Sequence, residues 1–114
     1  MLLLKPHIFK SYPEIVFGLS PRFANECKSP FYFNLSFTVG DEKDTVNKNR
    51  EGFFNIQGLT SKNVSYQHQI HEDSVNIITE GGYCGESDAL ITTKKELGLA
   101  ISTADCTPIF IYDP

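Results

Sequence analysis

The hydrophobic period changes twice along this chain. Over residues 1–40 short apolar pieces are broken by Pro6, Pro13, Pro21 and Pro30, which leaves residues 14–19 as the best strand and residues 20–30 as a loop. Between residues 41 and 57 the apolar positions Val46, Phe53, Phe54 and Ile56 recur at about two helical turns. Asp41, Glu42 and Asp44 gather where a helix N-terminus favours negative charge, and Gly58 supplies a stop, so the pattern predicts one amphipathic helix. Five short runs rich in Val, Ile, Thr, Phe or Tyr follow, at residues 64–70, 75–79, 89–93, 99–104 and 109–112, and each reads as a strand. The intervening Gly81, Gly82 and Gly85 lack the Lys-Ser/Thr ending of a phosphate loop, so this segment reads as a turn with Cys84 incidental to it.

The expected fold is therefore α/β (α+β), with the helix packed on a mixed, mostly antiparallel sheet. No repeat, low-complexity tract or linker divides residues 1–114, so they are read as a single domain. A final strand with nothing after it to cover its edge points to an incomplete molecule, a truncated fragment whose C-terminal half is missing. At 114 residues, with 40% hydrophobic side chains including nine Phe and five Tyr, the chain has material for a core. A net charge of −4 with scattered Lys and Arg argues against a nucleic-acid partner. The apolar run at residues 1–4 is too brief for a signal peptide, and no later stretch has membrane-spanning length, so a soluble cytoplasmic protein is expected. Cys27, Cys84 and Cys106 form an odd set without scaffold spacing, which fits a reducing compartment.

Candidate chemistry centres on His68, His71 and Cys106. Zinc takes these donor types, and catalytic sites hold it with three protein ligands and one open position. Two histidines three apart point to opposite faces of a strand, so at most one faces Cys106. His71 is the better placed, since it follows the strand where the chain turns at Glu72, Asp73 and Ser74. The same two groups suit a metal-free Cys/His hydrolase, with His71 taking a proton from Cys106. A third group separates the readings: a second imidazole favours a metal, and an Asn or Asp orienting the histidine favours nucleophilic catalysis. The plain alternative is a surface histidine and a small buried thiol. A copper oxidase would need many more histidines than the three present. Arg22 and Asn34 flank the Pro-rich loop, as an anion clamp or as ordinary loop hydrogen bonding. Asp41, Glu42 and Asp44 lack calcium-loop spacing and are most simply the helix start.

Phe33-Asn34-Leu35, Gly40-Asp41 with Asn49-Arg50, Gln69-Ile70-His71, Ser87-Asp88-Ala89-Leu90-Ile91-Thr92 and Thr103-Ala104-Asp105-Cys106-Thr107-Pro108 occur in the order and approximate spacing of a known family. Across residues 16–114 the chain resembles the laccase-domain (YfiH-like) family, first called polyphenol oxidases and now described as zinc-dependent purine nucleoside phosphorylases with adenosine deaminase activity. The resemblance implies that His71 and Cys106 are zinc ligands, with copper as the alternative metal. The family's third ligand is a histidine in a later His-Ala-Gly-Trp-Arg-Gly motif, which this sequence does not contain. Arg22 resembles the family's Ser-Thr-Arg arginine and Asn34 its Asn-Leu asparagine, both near the substrate pocket. The implied substrates are a purine nucleoside and phosphate, giving free base and ribose 1-phosphate, with deamination of adenosine alongside. Two positions depart from the family pattern: the glycines after the arginine are missing, and Glu72 replaces the glycine after the histidine. With two of three ligands, this stretch by itself is expected to bind zinc weakly and to be poorly active.

Overall fold

In the computed structural model, which describes residues 3–24 and 27–114, helix α1 spans Lys43–Asn55 and buries Val46, Asn49, Arg50, Phe53 and Phe54. Those positions are the i, i+3, i+4, i+7, i+8 stripe of an amphipathic helix, and two of them are polar. Ile56, expected on the same face, caps the C-terminus and is exposed. The helix opens at Glu42, whose carbonyl accepts the Val46 amide at 3.0 Å, and Asp44 sits in its first turn. At the other end Gly58 takes φ 73° and Leu59 N returns to the Phe54 carbonyl at 3.0 Å, a reversal that glycine makes without Cβ strain.

Five strands follow: β1 Val64–His68, β2 Val75–Ile77, β3 Gly82–Glu86, β4 Ala89–Ile91 and β5 Gly98–Ala100. They form a three-stranded sheet in the order β3-β1-β5 and a two-stranded sheet of β2 and β4. Every pairing between these strands is parallel, which corrects the expectation of a mostly antiparallel sheet. The reason is alternation: consecutive strands belong to different sheets, so β2 carries the chain back between β1 and β3, and β4 does so between β3 and β5. Parallel neighbours need a crossover of about a dozen residues, usually a helix, and here strands of a second sheet serve that purpose.

Other expectations shift as well. The glycine-rich segment taken for a turn is β3, and Gly81 before it has no room for a side chain, because a Cβ there would collide with the Lys62 carbonyl. The expected strand at 14–19 is reduced to one isolated antiparallel bridge, Leu4 to Leu19. The expected strand at 109–112 does not form. Residues 101–114 run without regular structure and fold back on the N-terminal segment, with Phe110 against Phe17 at 4.2 Å, Tyr112 against Tyr12 at 4.4 Å, and Tyr112 Oη on the Glu14 carboxylate at 3.1 Å. Residues 1–2 of the short apolar run and residues 25–26 of the expected loop lie outside the described residues.

The core sits where α1 meets the start of β1. Ala24, Phe33, Phe53, Phe54 and Val64 form the buried cluster, with Leu35, Leu59 and Ala100 packed on its flank. Burying each large apolar side chain contributes about 1.5–3 kcal/mol, so the amino end of the three-stranded sheet is the firm end. Among the described residues no helix is long and apolar enough to cross a membrane.

Candidate functional site at the carboxyl edge of the parallel sheet

Because β3, β1 and β5 run in parallel, all three release the chain at one edge, and in open parallel sheets that is where ligands bind. The register places Tyr66 of β1 opposite both Tyr83 of β3 and Ala100 of β5. His71 follows five residues after Tyr66, and Cys106 six residues after Ala100. The two predicted donors thus leave the same edge from adjacent strands. Both are exposed.

The β1–β2 loop carries His71 at φ 58°, a left-handed conformation uncommon for a residue with a side chain. What holds it there is Asp88, at the turn between β3 and β4. One Asp88 carboxylate oxygen accepts the Ile70 amide at 3.3 Å, and the other accepts the amides of Glu72 at 3.0 Å and Ser74 at 3.3 Å together with the Ser74 hydroxyl at 3.4 Å. In return the Asp88 and Ala89 amides donate to the Ser74 carbonyl at 2.9 and 3.1 Å. Partial loss of solvent pulls the Asp88 carboxyl upward, but the converging amides of residues 70–74 outweigh it and hold the group below its ordinary value.

The neighbouring Ser87 is fully buried; its amide reaches the His68 carbonyl at 3.1 Å and its hydroxyl the Gln67 side chain at 2.8 Å. A bulge permits this. From Tyr66 to His68 is two residues, whereas the paired stretch from Tyr83 to Glu86 is three, and the surplus is taken up with Gly85 at φ 87°. Bulges of this kind re-aim the chain next to functional sites.

Cys106 lies beyond β5, where its carbonyl accepts the Thr103 hydroxyl at 2.9 Å. Among the described residues no group of three or more His, Cys, Asp or Glu side chains is gathered as a metal site. Cys84 is a different kind of thiol: half-buried in β3, it donates to the Tyr66 carbonyl at 2.9 Å, and burial pushes its pKa up against the pull of its own backbone amide. That makes it a poor nucleophile. His68 ends β1 with its side chain exposed.

Arg22 is exposed, its guanidinium 4.8 Å from the centre of the Tyr32 ring and 5.5 Å from that of Phe23. Its carbonyl accepts the Phe33 amide at 3.1 Å, which places Arg22 beside the segment containing Asn34. The Asn34 side chain is occupied within its own loop: Oδ1 accepts the Ser36 amide at 2.9 Å, and Nδ2 donates to the Ser36 carbonyl at 2.9 Å and to the Asp41 carboxylate at 3.1 Å. Below this loop lies a residue that the sequence offered only as part of the Asn49-Arg50 motif, with no role assigned. Arg50 is buried, donates from Nη1 to the Leu35 carbonyl at 2.9 Å, and is ringed by Tyr66, Phe37 and Phe54 at 4.1, 5.0 and 5.3 Å. Its Nη2 is buried without a hydrogen-bond partner. Burial lowers its pKa, with the nearby Tyr66 acting in the opposite sense.

The chain belongs to the family described as multi-copper polyphenol oxidoreductase laccase, whose pattern matches residues 17–114. It is similar to the purine nucleoside phosphorylase of Corynebacterium glutamicum, with 40% identity over 91 residues, covering 75% of this chain and 37% of that protein. It is likewise similar to the purine nucleoside phosphorylases of Streptomyces griseus, at 32% identity over 86% of this chain and 42% of the relative, and of Bacillus subtilis, at 28% over 89% and 40%. The chain thus spans about two fifths of the length of these relatives. No solved structure matches it.

Proposed function

We propose that this chain forms part of a purine nucleoside phosphorylase, in which phosphate attacks the glycosidic carbon of a purine nucleoside and releases the base with formation of ribose 1-phosphate. The observation that carries the reading is the shared carboxyl edge, where adjacent parallel strands deliver His71 and Cys106 in a chain whose relatives bear that activity in their names. An imidazole and a thiolate are donors that zinc accepts, so the residues present fit the metal as two of its ligands. Bound there, zinc would supply a Lewis acid to polarise the reacting centre. A third donor comes from outside this cluster.

His71 binds through whichever ring nitrogen its loop turns outward, and Cys106 binds once its thiol has given up its proton. Arg22 has an exposed fork of donors suited to phosphate oxygens, and stacking on Tyr32 and Phe23 limits the freedom it must give up on binding. Asn34 acts through the loop it holds, since both ends of its amide are engaged there. Bond changes balance without a redox partner: a phosphate oxygen bonds to the sugar carbon, the carbon–nitrogen bond breaks, and the base leaves with a proton. Deamination of adenosine at the same site is the companion reaction.

The test is to incubate the complete gene product with adenosine or inosine and phosphate, following free base and ribose 1-phosphate with and without a chelator. Chelator-sensitive, phosphate-dependent release of base supports the reading. Release that needs no phosphate, or that survives metal removal, overturns it.

A further inference from the structure

The loop between β1 and β2 has little of its own to fix its shape. Gln69, His71, Glu72 and Asp73 are exposed, and His71 stands in a left-handed conformation that costs of order 1 kcal/mol or more for a residue with a Cβ. Its order comes instead from one carboxylate on another connection. Asp88 gathers the Ile70, Glu72 and Ser74 amides and the Ser74 hydroxyl, so its bonds fall on both sides of His71. Ser87, buried against Gln67 and His68, anchors Asp88 to the end of β1.

We propose that Asp88 is the positioning residue for His71: by fixing the backbone on either side of it, the carboxylate sets the direction in which the imidazole leaves the sheet edge. An acceptor-only group is required, because each of its bonds there is received from a donor. Asparagine at 88 would turn an NH2 toward at least one amide and break the set. The consequence for metal rests on His71 being a zinc ligand; the effect on the loop does not. Residues that orient metal ligands typically change affinity by about 10- to 100-fold when altered.

The experiment uses the complete gene product and three readouts. In the unaltered protein, amide hydrogen exchange should be slower at Ile70, Glu72 and Ser74 than at exposed Asp73 by about tenfold or more, as charge-assisted hydrogen bonds imply. In Asp88→Asn that protection should vanish while the exchange of α1 and β1 is kept. Zinc affinity, from competition with a chelator, should fall by about 10- to 100-fold. The absorption of a cobalt(II)-loaded Asp88→Asn protein should shift toward that of His71→Ala, with the thiolate band of Cys106 retained.

Equal exchange at 72 and 73 in the unaltered protein overturns the proposal even if the variant does not fold. Unchanged zinc affinity and cobalt spectrum in a folded Asp88→Asn overturn its consequence for the metal. Protection present but no zinc bound by the unaltered protein removes the zinc reading and leaves Asp88 as the residue that shapes the loop.

Discussion

The Arg50 guanidinium lies 4.1 Å from the centre of the Tyr66 ring, which ties the buried face of α1 to β1 by a charge that meets aromatic faces. Such a contact contributes about 0.5–2 kcal/mol, more when water is excluded. Against it stands Nη2, buried and unpartnered, which carries a desolvation penalty of about 1–3 kcal/mol. The two effects are of similar size, so the guanidinium itself adds little net stability. The volume and the bond to the Leu35 carbonyl matter more.

Arg50→Ala is therefore expected to lower stability by about 2–4 kcal/mol, since it opens a cavity and strands the Leu35 carbonyl. Arg50→Met should lose less, about 1–2 kcal/mol, because it refills the space and removes the unpaired donor but still leaves the Leu35 carbonyl without its partner. Arg50→Lys should fall between them, as it keeps the charge without the flat stacking surface. Urea unfolding of the three variants checks the order; a lysine variant as stable as the parent would show that planarity is irrelevant.

The same residue explains what was and was not legible beforehand. Val46, Phe53 and Phe54 announced the helix because they share its period, whereas Asn49 and Arg50 entered only through the Asn49-Arg50 motif, and nothing in their polar character announced that they are buried. Their burial depends on partners from residues 34–37, far off in sequence. Strand positions were legible from β-branched residues, yet their direction was not, since pairing depends on which sheet each strand joins. Gly82 and Gly85 masked β3 because glycine signals turns, and here both take a positive φ within the strand, Gly85 at its bulge. The apolar run at 109–112 is held by ring edges, not by a ladder. At the site, His71 and Cys106 stood out as donor types. Asp88 entered only as a member of the Ser87–Thr92 motif and was given no role, because a carboxylate that collects backbone amides looks in sequence like any Asp opening a strand.

The thiols of Cys84 and Cys106 should differ in reactivity. Cys106 is exposed, while Cys84 is half-buried with its sulfur on the Tyr66 carbonyl and its pKa raised by burial. Alkylation near neutral pH is expected to modify Cys106 first and Cys84 last, as mass spectrometry of timed digests will show. If Cys106 is a zinc ligand, zinc should slow its modification and leave the rate at Cys84 unchanged. Faster labelling of Cys84 would mean that β3 opens more readily than its bonds to β1 imply.

Tyr112 offers a pH test of how the final residues are held. Partial desolvation raises its pKa above the ordinary 10.0, and the Glu14 carboxylate that accepts its hydrogen bond raises it further, with Tyr12 adding to the same effect. A group whose acid form is favoured by folding contributes fully below its unfolded value, and that contribution is lost as pH rises through the folded value. The fold-back of residues 101–114 is thus expected to persist through neutral pH and to loosen only in strong alkali. Subtracting the tyrosinate absorbance titration of Tyr112→Phe from that of the unaltered protein isolates this one phenol. Its curve should lie above the ordinary tyrosine range, and Glu14→Gln should move it back toward that range. The thermal midpoint of Tyr112→Phe should fall less steeply with rising alkaline pH, since the ring packing against Tyr12 and Phe9 survives without a titrating hydroxyl. Identical alkaline profiles in the two proteins would place the anchor of this segment at Phe110 and Phe17 instead.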